Sequence, residues 1–184
     1  MKKHALHGAT ALVLILASTQ IAMAADGDIT FRGTITANTC PVVVTDLATS
    51  LTNNDVALGN ITLGAFRASG DTAGGGRFRL SVDRSGAACT ITDTQGAKVT
   101  FLPQSGVAGN SGQYFGLMPD TGVATGVAVR IMDATNTEVP VSQPSSRYTN
   151  LANGMEFTAH YIATSSTVTA GPANSKVSFS VAYD

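Results

Sequence analysis

The chain has no tryptophan, few charges, three histidines and two cysteines, and each scarcity removes a class of function. Charged residues make up 12% of the sequence and basic and acidic ones nearly balance, 11 against 12, so no basic stripe is available to track a nucleic acid. His4 and His7 lie near the start, leaving His160 as the one imidazole in the remainder of the chain. One histidine and two cysteines are too few for a zinc site of the usual four ligands. Beyond residue 24 no stretch is long and apolar enough to cross a bilayer, and no stretch keeps a helical apolar period for long.

What is present begins with an address. Lys2 and Lys3 precede the apolar run "ATALVLILA", and "STQIAMA" closes on Ala22, Met23 and Ala24, the small-x-small pattern of a signal-peptidase site. The run is about half the ~20 residues that a membrane-spanning helix needs. Residues 1–24 are therefore expected to be a cleaved signal peptide, and the mature chain to be exported with no membrane span. Losing Lys2 and Lys3 leaves 9 basic residues against 12 acidic, a net charge of −3. An even pair of cysteines in an exported protein, Cys40 and Cys89, predicts a disulfide.

Glycine, threonine, serine, alanine and valine dominate the mature chain. Alternating apolar segments occur at "RFRLSV" (77–82), "KVTFL" (98–102), "GVAVRIM" (126–132), "MEFTAHYIA" (155–163) and "KVSFSVAY" (176–183). Between them lie "SGDTAGGG", "PQSGVAGNSG", "DATNT" and "TAGPANS", which have turn composition. Many short strands with such punctuation predict one all-β domain, a sandwich of antiparallel sheets.

Catalytic chemistry finds little support. His160 shares a strand face with Glu156 and Thr158, opposite Met155, Phe157, Ala159 and Tyr161, and is expected to face solvent. The aspartates, Asp46 and Asp133 among them, fall largely in turns or near chain ends, where Asp bonds to local backbone. "AGGGR" (73–77) lacks the Gly-Lys-Ser/Thr of a phosphate loop and reads as a turn, and "SSRYTN" as a surface loop. An enzyme, an exported hydrolase included, is not expected, and neither is a cofactor or a metal.

The termini carry the signal. In "DITFRGTITANTC" (28–40), Ile29, Phe31, Gly33, Ile35 and Ala37 share one face, yet the segment lies at a chain end before the first cysteine. In "SKVSFSVAYD", Val177, Phe179, Val181 and Tyr183 share a face within one residue of the C-terminus. With "GDITFRGTITANTC", a second cysteine after "RFRLSV", "GVAVRIMDATNTEVPV" and "AHYIATSSTVTAGPANSKVSFSVAYD", the chain resembles the pilin subunits of the chaperone-usher pathway, near the type 1 fimbrial major subunit family. Tyr183 is penultimate and Gly171 fourteenth from the end, as in that family's C-terminal motif.

The resemblance implies an incomplete immunoglobulin-like sandwich lacking its seventh and last strand, completed by donor-strand exchange. It implies an N-terminal donor-strand extension at 25–37 and a pilin domain at 38–184. Ile29, Phe31, Gly33, Ile35 and Ala37 would enter successive groove pockets of a neighbouring subunit, Gly33 at the pocket that accepts only a very small residue. Gly171, Val177, Phe179, Val181 and Tyr183 would form the motif contacted by a periplasmic chaperone and lining the groove. An outer-membrane usher and neighbouring pilins, in a homopolymer or with minor pilins, complete the expected partners, and no nucleic acid is among them. The expected function is a structural subunit of a cell-surface fimbria supporting adhesion, with a minor adaptor or carbohydrate-binding pilin as the alternative.

Overall fold

The computed structural model describes residues 40–87 and 89–184. The expected signal peptide at 1–24 and donor segment at 25–37, with Ile29, Phe31, Gly33, Ile35 and Ala37, lie outside the described residues. Eight strands occur among those described: β1 (Val42–Asp46), β2 (Thr72–Val82), β3 (Ala97–Pro103), β4 (Val107–Ala108), β5 (Tyr114–Phe115), β6 (Val127–Asp133), β7 (Met155–Ala163) and β8 (Val177–Tyr183). Six form one sheet in the order β1-β2-β7-β6-β5-β4, with antiparallel pairing throughout. β3 and β8 pair antiparallel in the second sheet, Phe101 opposite Phe179 and Ala97 opposite Tyr183.

Alternation explains which sheet face meets the core. Met155, Phe157 and Ala159 of β7 are buried between Phe78 and Leu80 of β2 on one side and Ile131 of β6 on the other. Val99 and Phe101 of β3 close the core from the second sheet. The Phe157 ring lies 5.0 Å from Phe101 edge to face and 5.5 Å from Phe78 in a stacked arrangement, so one residue joins both layers. Each such side chain contributes about 1.5–3 kcal/mol by leaving water. Two packed antiparallel sheets in this arrangement make an immunoglobulin-like sandwich.

Two stretches depart from the sequence reading. "AGGG" is strand rather than turn: β2 runs through it with a bulge between Ala73 and Gly76. A Cβ on Gly76 would lie 2.6 Å from Val56 Cγ1 and 2.7 Å from the Ala57 carbonyl oxygen, so the glycine lets another segment cross closely. "SSRYTN" is not a free loop either. Its Ser145 is buried, and Ser142, Ser145 and Tyr148 donate backbone N–H groups to Phe101, Val99 and Ala97 of β3. This segment covers one edge of β3, and β8 covers the other.

Candidate binding groove

A groove opens between β8 and the segment 53–61, which packs over the glycine end of β2. Asp46 anchors the near wall. Its carboxylate accepts hydrogen bonds from the N–H groups of Ala48 (2.7 Å), Thr49 (3.0 Å) and, across a long loop, Ala57 (3.0 Å). The side chain is 2% exposed, a setting in which a charge persists only when hydrogen-bonded. Those bonds, the one from Ala57 foremost, outweigh desolvation and hold its carboxyl below the usual aspartate range. Fixing Ala57 fixes Val56 and Leu58, which pack half-buried against the core.

β8 is the far wall. Val177, Phe179, Val181 and Tyr183 face the core yet remain half-buried, unlike the corresponding residues of β3. All its strand pairing is with β3, and its other edge has no strand partner among the described residues. Burial raises the pKa of the Tyr183 phenol, whose oxygen is buried without a hydrogen-bond partner among the described residues. The approach to β8 is held down on the opposite side: Met118 donates its N–H to the Asn174 carbonyl at 2.7 Å, Ala124 to that of Pro172 at 3.0 Å, and Tyr161 its hydroxyl to that of Ala173 at 2.9 Å. Gly171 is required by proximity, because a Cβ there would run into the Gly122 carbonyl oxygen and lie 2.7 Å from the Ala124 nitrogen.

Between the walls lie two adjoining cavities of about 990 and 530 Å³. The larger is bounded by Val56 and Leu58 on one side and Val177 on the other, the smaller by Ile61, Phe66 and Gly171. Leu51, 55% exposed, and Met118, 40% exposed, extend the apolar surface of this region. A channel of mixed lining, with Val56, Leu58 and Val177 set among asparagines and Lys176, lies beside a strand edge unpaired among the described residues and presents side-chain pockets and a row of backbone N–H and C=O groups together. That combination accepts an extended peptide by strand addition.

The structure brings Val177, Phe179, Val181 and Tyr183 into one wall and sets Gly171 at its approach. Cys40 and Cys89 are bonded to each other, with Cα atoms 4.9 Å apart, and tie the entry of β1 to the loop after β2. Sequence reasoning missed the other wall. The alternation of Val56 and Leu58 was its signal, obscured by the surrounding asparagines and glycine. His160 does not stand free, since its Nδ1 is 2.8 Å from the Gly74 carbonyl oxygen and donates to it. Asp133 is likewise a structural hub: burial raises its pKa, and hydrogen bonds from Ser146, Thr135 and Thr137 more than offset this. Among the described residues no three His, Cys, Asp or Glu side chains gather as metal ligands.

A family model described as "Fimbrial protein" matches residues 29–184. Long polar fimbria protein A of Salmonella typhimurium is 30% identical over 188 residues, spanning 100% of this chain and 98% of its own length. A Burkholderia pseudomallei antigen and type I fimbria protein, known as a crystal structure, is 26% identical with a TM-score of 0.50, over 79% of this chain and 99% of that one. A structure of a chaperone-usher pilus that addresses rod uncoiling matches at 17% identity and a TM-score of 0.50, over 91% of this chain and 100% of that one, and bears on the fold alone.

Proposed function

The chain belongs to the fimbrial protein family, a family of structural rather than catalytic proteins, and on that premise we propose that it is a shaft subunit joined to its neighbours by donor-strand exchange. The observation that carries the reading is the edge of β8, unpaired among the described residues, beside a groove with apolar side chains on both walls. Residues 1–24 direct export and are removed, 25–37 form the donor strand, and 38–184 form the domain that offers the groove. In this reading Ile29, Phe31, Gly33, Ile35 and Ala37 of one copy enter the groove of another, where burying Ile29, Phe31 and Ile35 contributes about 1.5–3 kcal/mol each before ordering costs. A periplasmic chaperone occupies the groove first, against Val177, Phe179, Val181 and Tyr183, and the exchange takes place at an outer-membrane usher. Donor and groove are different surfaces of one chain, so the contact is heterologous and does not close; repeated, it makes a filament at the cell surface.

Gly33→Asn tests the joint, because it enlarges the donor face and leaves the groove unaltered. We expect the chaperone complex to form in normal yield while fibres disappear from electron micrographs of expressing cells. Fibres of normal number and length from this variant would overturn the assignment of Gly33 to a shallow pocket. Deleting residues 25–37 separates the wider reading from that detail: fibres that persist without the segment would exclude donor-strand exchange through it.

A further inference from the structure

The outward face of the six-stranded sheet, on the side away from the core, carries more cations than its acids neutralise. Arg77 and Arg79 of β2 both bond to Glu156 of β7, Nη2 to carboxylate oxygen at 2.9 and 2.5 Å. Further along the same face Arg130 of β6 stands directly opposite His160 of β7; its Nε is buried and without a hydrogen-bond partner among the described residues, so a ligand would have to engage the outer end of the guanidinium. The His160 ring is fixed by its Nδ1–H on the Gly74 carbonyl, and Gly75 makes room for it, since a Cβ there would lie 3.0 Å from the ring. In that tautomer Nε2 is left as an acceptor, suited to a sugar hydroxyl rather than to an anion. Three guanidiniums here thus face two carboxylates, Glu156, which holds Arg77 and Arg79, and Glu138, which lies opposite Met132 on the same face, whereas Arg84 pairs with Asp93 and Arg147 with Asp184 one to one.

We propose that this face binds an acidic polysaccharide, seating carboxylate or sulfate groups on Arg77 and Arg130. The type of cation supports it. Every cation on the face is arginine, whose planar fork engages a carboxylate or sulfate through two parallel hydrogen bonds, while Lys98 and Lys176 lie on or beside the second sheet. Spacing sets the ligand's form. Arg77 and Arg130 lie on strands separated by β7 and opposite Thr158 and His160 respectively, roughly 12 Å apart at ordinary strand spacing and rise, so engaging both takes an extended molecule with more than one anionic group. Thr158, between Arg77 and Met132 in register, adds a hydroxyl suited to sugar hydroxyls.

A second copy of the chain is poorly suited to supply the anions. The carboxylates of Asp46, Asp71, Asp83, Asp120 and Asp133 accept backbone N–H groups of their own subunit, and those of Asp93, Glu156 and Asp184 are held by arginine. Among the described acids, only Asp55 and Glu138 fall outside both groups. The face also lies across the first sheet from the groove, so an occupied groove leaves it uncovered.

The test measures binding of purified fibres to immobilised heparin, polysialic acid and neutral dextran, with fibre yield followed in parallel. We expect an acidic polymer to be retained and dextran not, heparin or polysialic acid showing whether sulfate or carboxylate is preferred. Arg77→Gln with Arg130→Gln should weaken retention at least about tenfold, the scale of lost charge-assisted hydrogen bonds. Glu156→Gln, which frees two arginines, should strengthen it severalfold and serves as the check should the double variant be poorly made. Equal retention on dextran, or retention unchanged in both variants, would overturn the proposal. So would wild-type retention of no polymer combined with failure of the double variant to form fibres, which would assign the face to contacts between copies.

Discussion

Asp46 shows how a single side chain shapes a surface it does not itself present. Its carboxylate joins the end of β1 to Ala57, and through Ala57 sets Val56 and Leu58 along the groove. Asp46→Ala should destabilise the mature chain by about 2 kcal/mol, the cost of leaving amide donors without their charged acceptor, as read from denaturant unfolding. Amide exchange at Ala57 should accelerate with it. The folded-state pKa is lowered, so the carboxyl's contribution is complete above the ordinary aspartate value of about 3.9 and is lost as pH falls through the lower folded value. Melting temperature across that acidic window should therefore fall less in Asp46→Ala than in the parent chain. None of this was legible beforehand, because an aspartate after "VVVT" has the composition of a strand-end turn and nothing in the sequence points eleven residues ahead to Ala57.

At the scale of the element, legibility followed periodicity. The segments at 77–82, 98–102, 126–132, 155–163 and 176–183 each turn alternate apolar residues toward the core, fully buried in the first four and half-buried in the last, and were recognisable for that reason. β1 was not, since three consecutive valines have no period of two, and β4 and β5 are two residues each. The "AGGG" end of β2 misled because glycine signals a turn as readily as a close crossing, and only the position of Val56 and Ala57 distinguishes the two. The groove was accordingly half legible: its β8 wall lay in plain alternation, while the segment 53–61 is held by Asp46 and by packing on glycine rather than by pairing as a strand. The approach to β8 can be probed directly. Gly171→Ala forces a methyl against the Gly122 carbonyl and should cost about 1–3 kcal/mol through overpacking, seen as a lower melting temperature and lower chaperone-bound yield. Gly86→Ala, where a Cβ meets nothing within 4 Å among the described residues, is the matched control and should change neither.

For the molecule as a whole, the disulfide closes the open end of the β1–β2 pair, next to the Asp83 to Pro41 backbone bond, and ties the loop after β2 to the start of the described chain. Cys40 and Cys89 are separated by 49 positions, and closing a loop of that length stabilises the fold by about 4 kcal/mol on the chain-entropy account. Replacing both with serine should lower the melting temperature and the yield of chaperone-bound subunit, and leave the affinity of any assembled fibre for acidic polymers unchanged, because the arginine face lies on β2, β6 and β7 beyond the bridge. A loss of polymer retention per fibre in that variant would mean that the two regions are coupled.

The bare edge of β8 bears on how a fibre ends. On the donor-strand exchange proposed above, completion from outside would give the assembly a direction, with an unspent N-terminal segment at one tip and a vacant groove at the other. Neither tip contains an instruction to stop, since each new copy restores the same pair of unmet surfaces. Fibre length is then set by supply, and by whichever different molecule first occupies a terminal position without offering the next strand or the next groove.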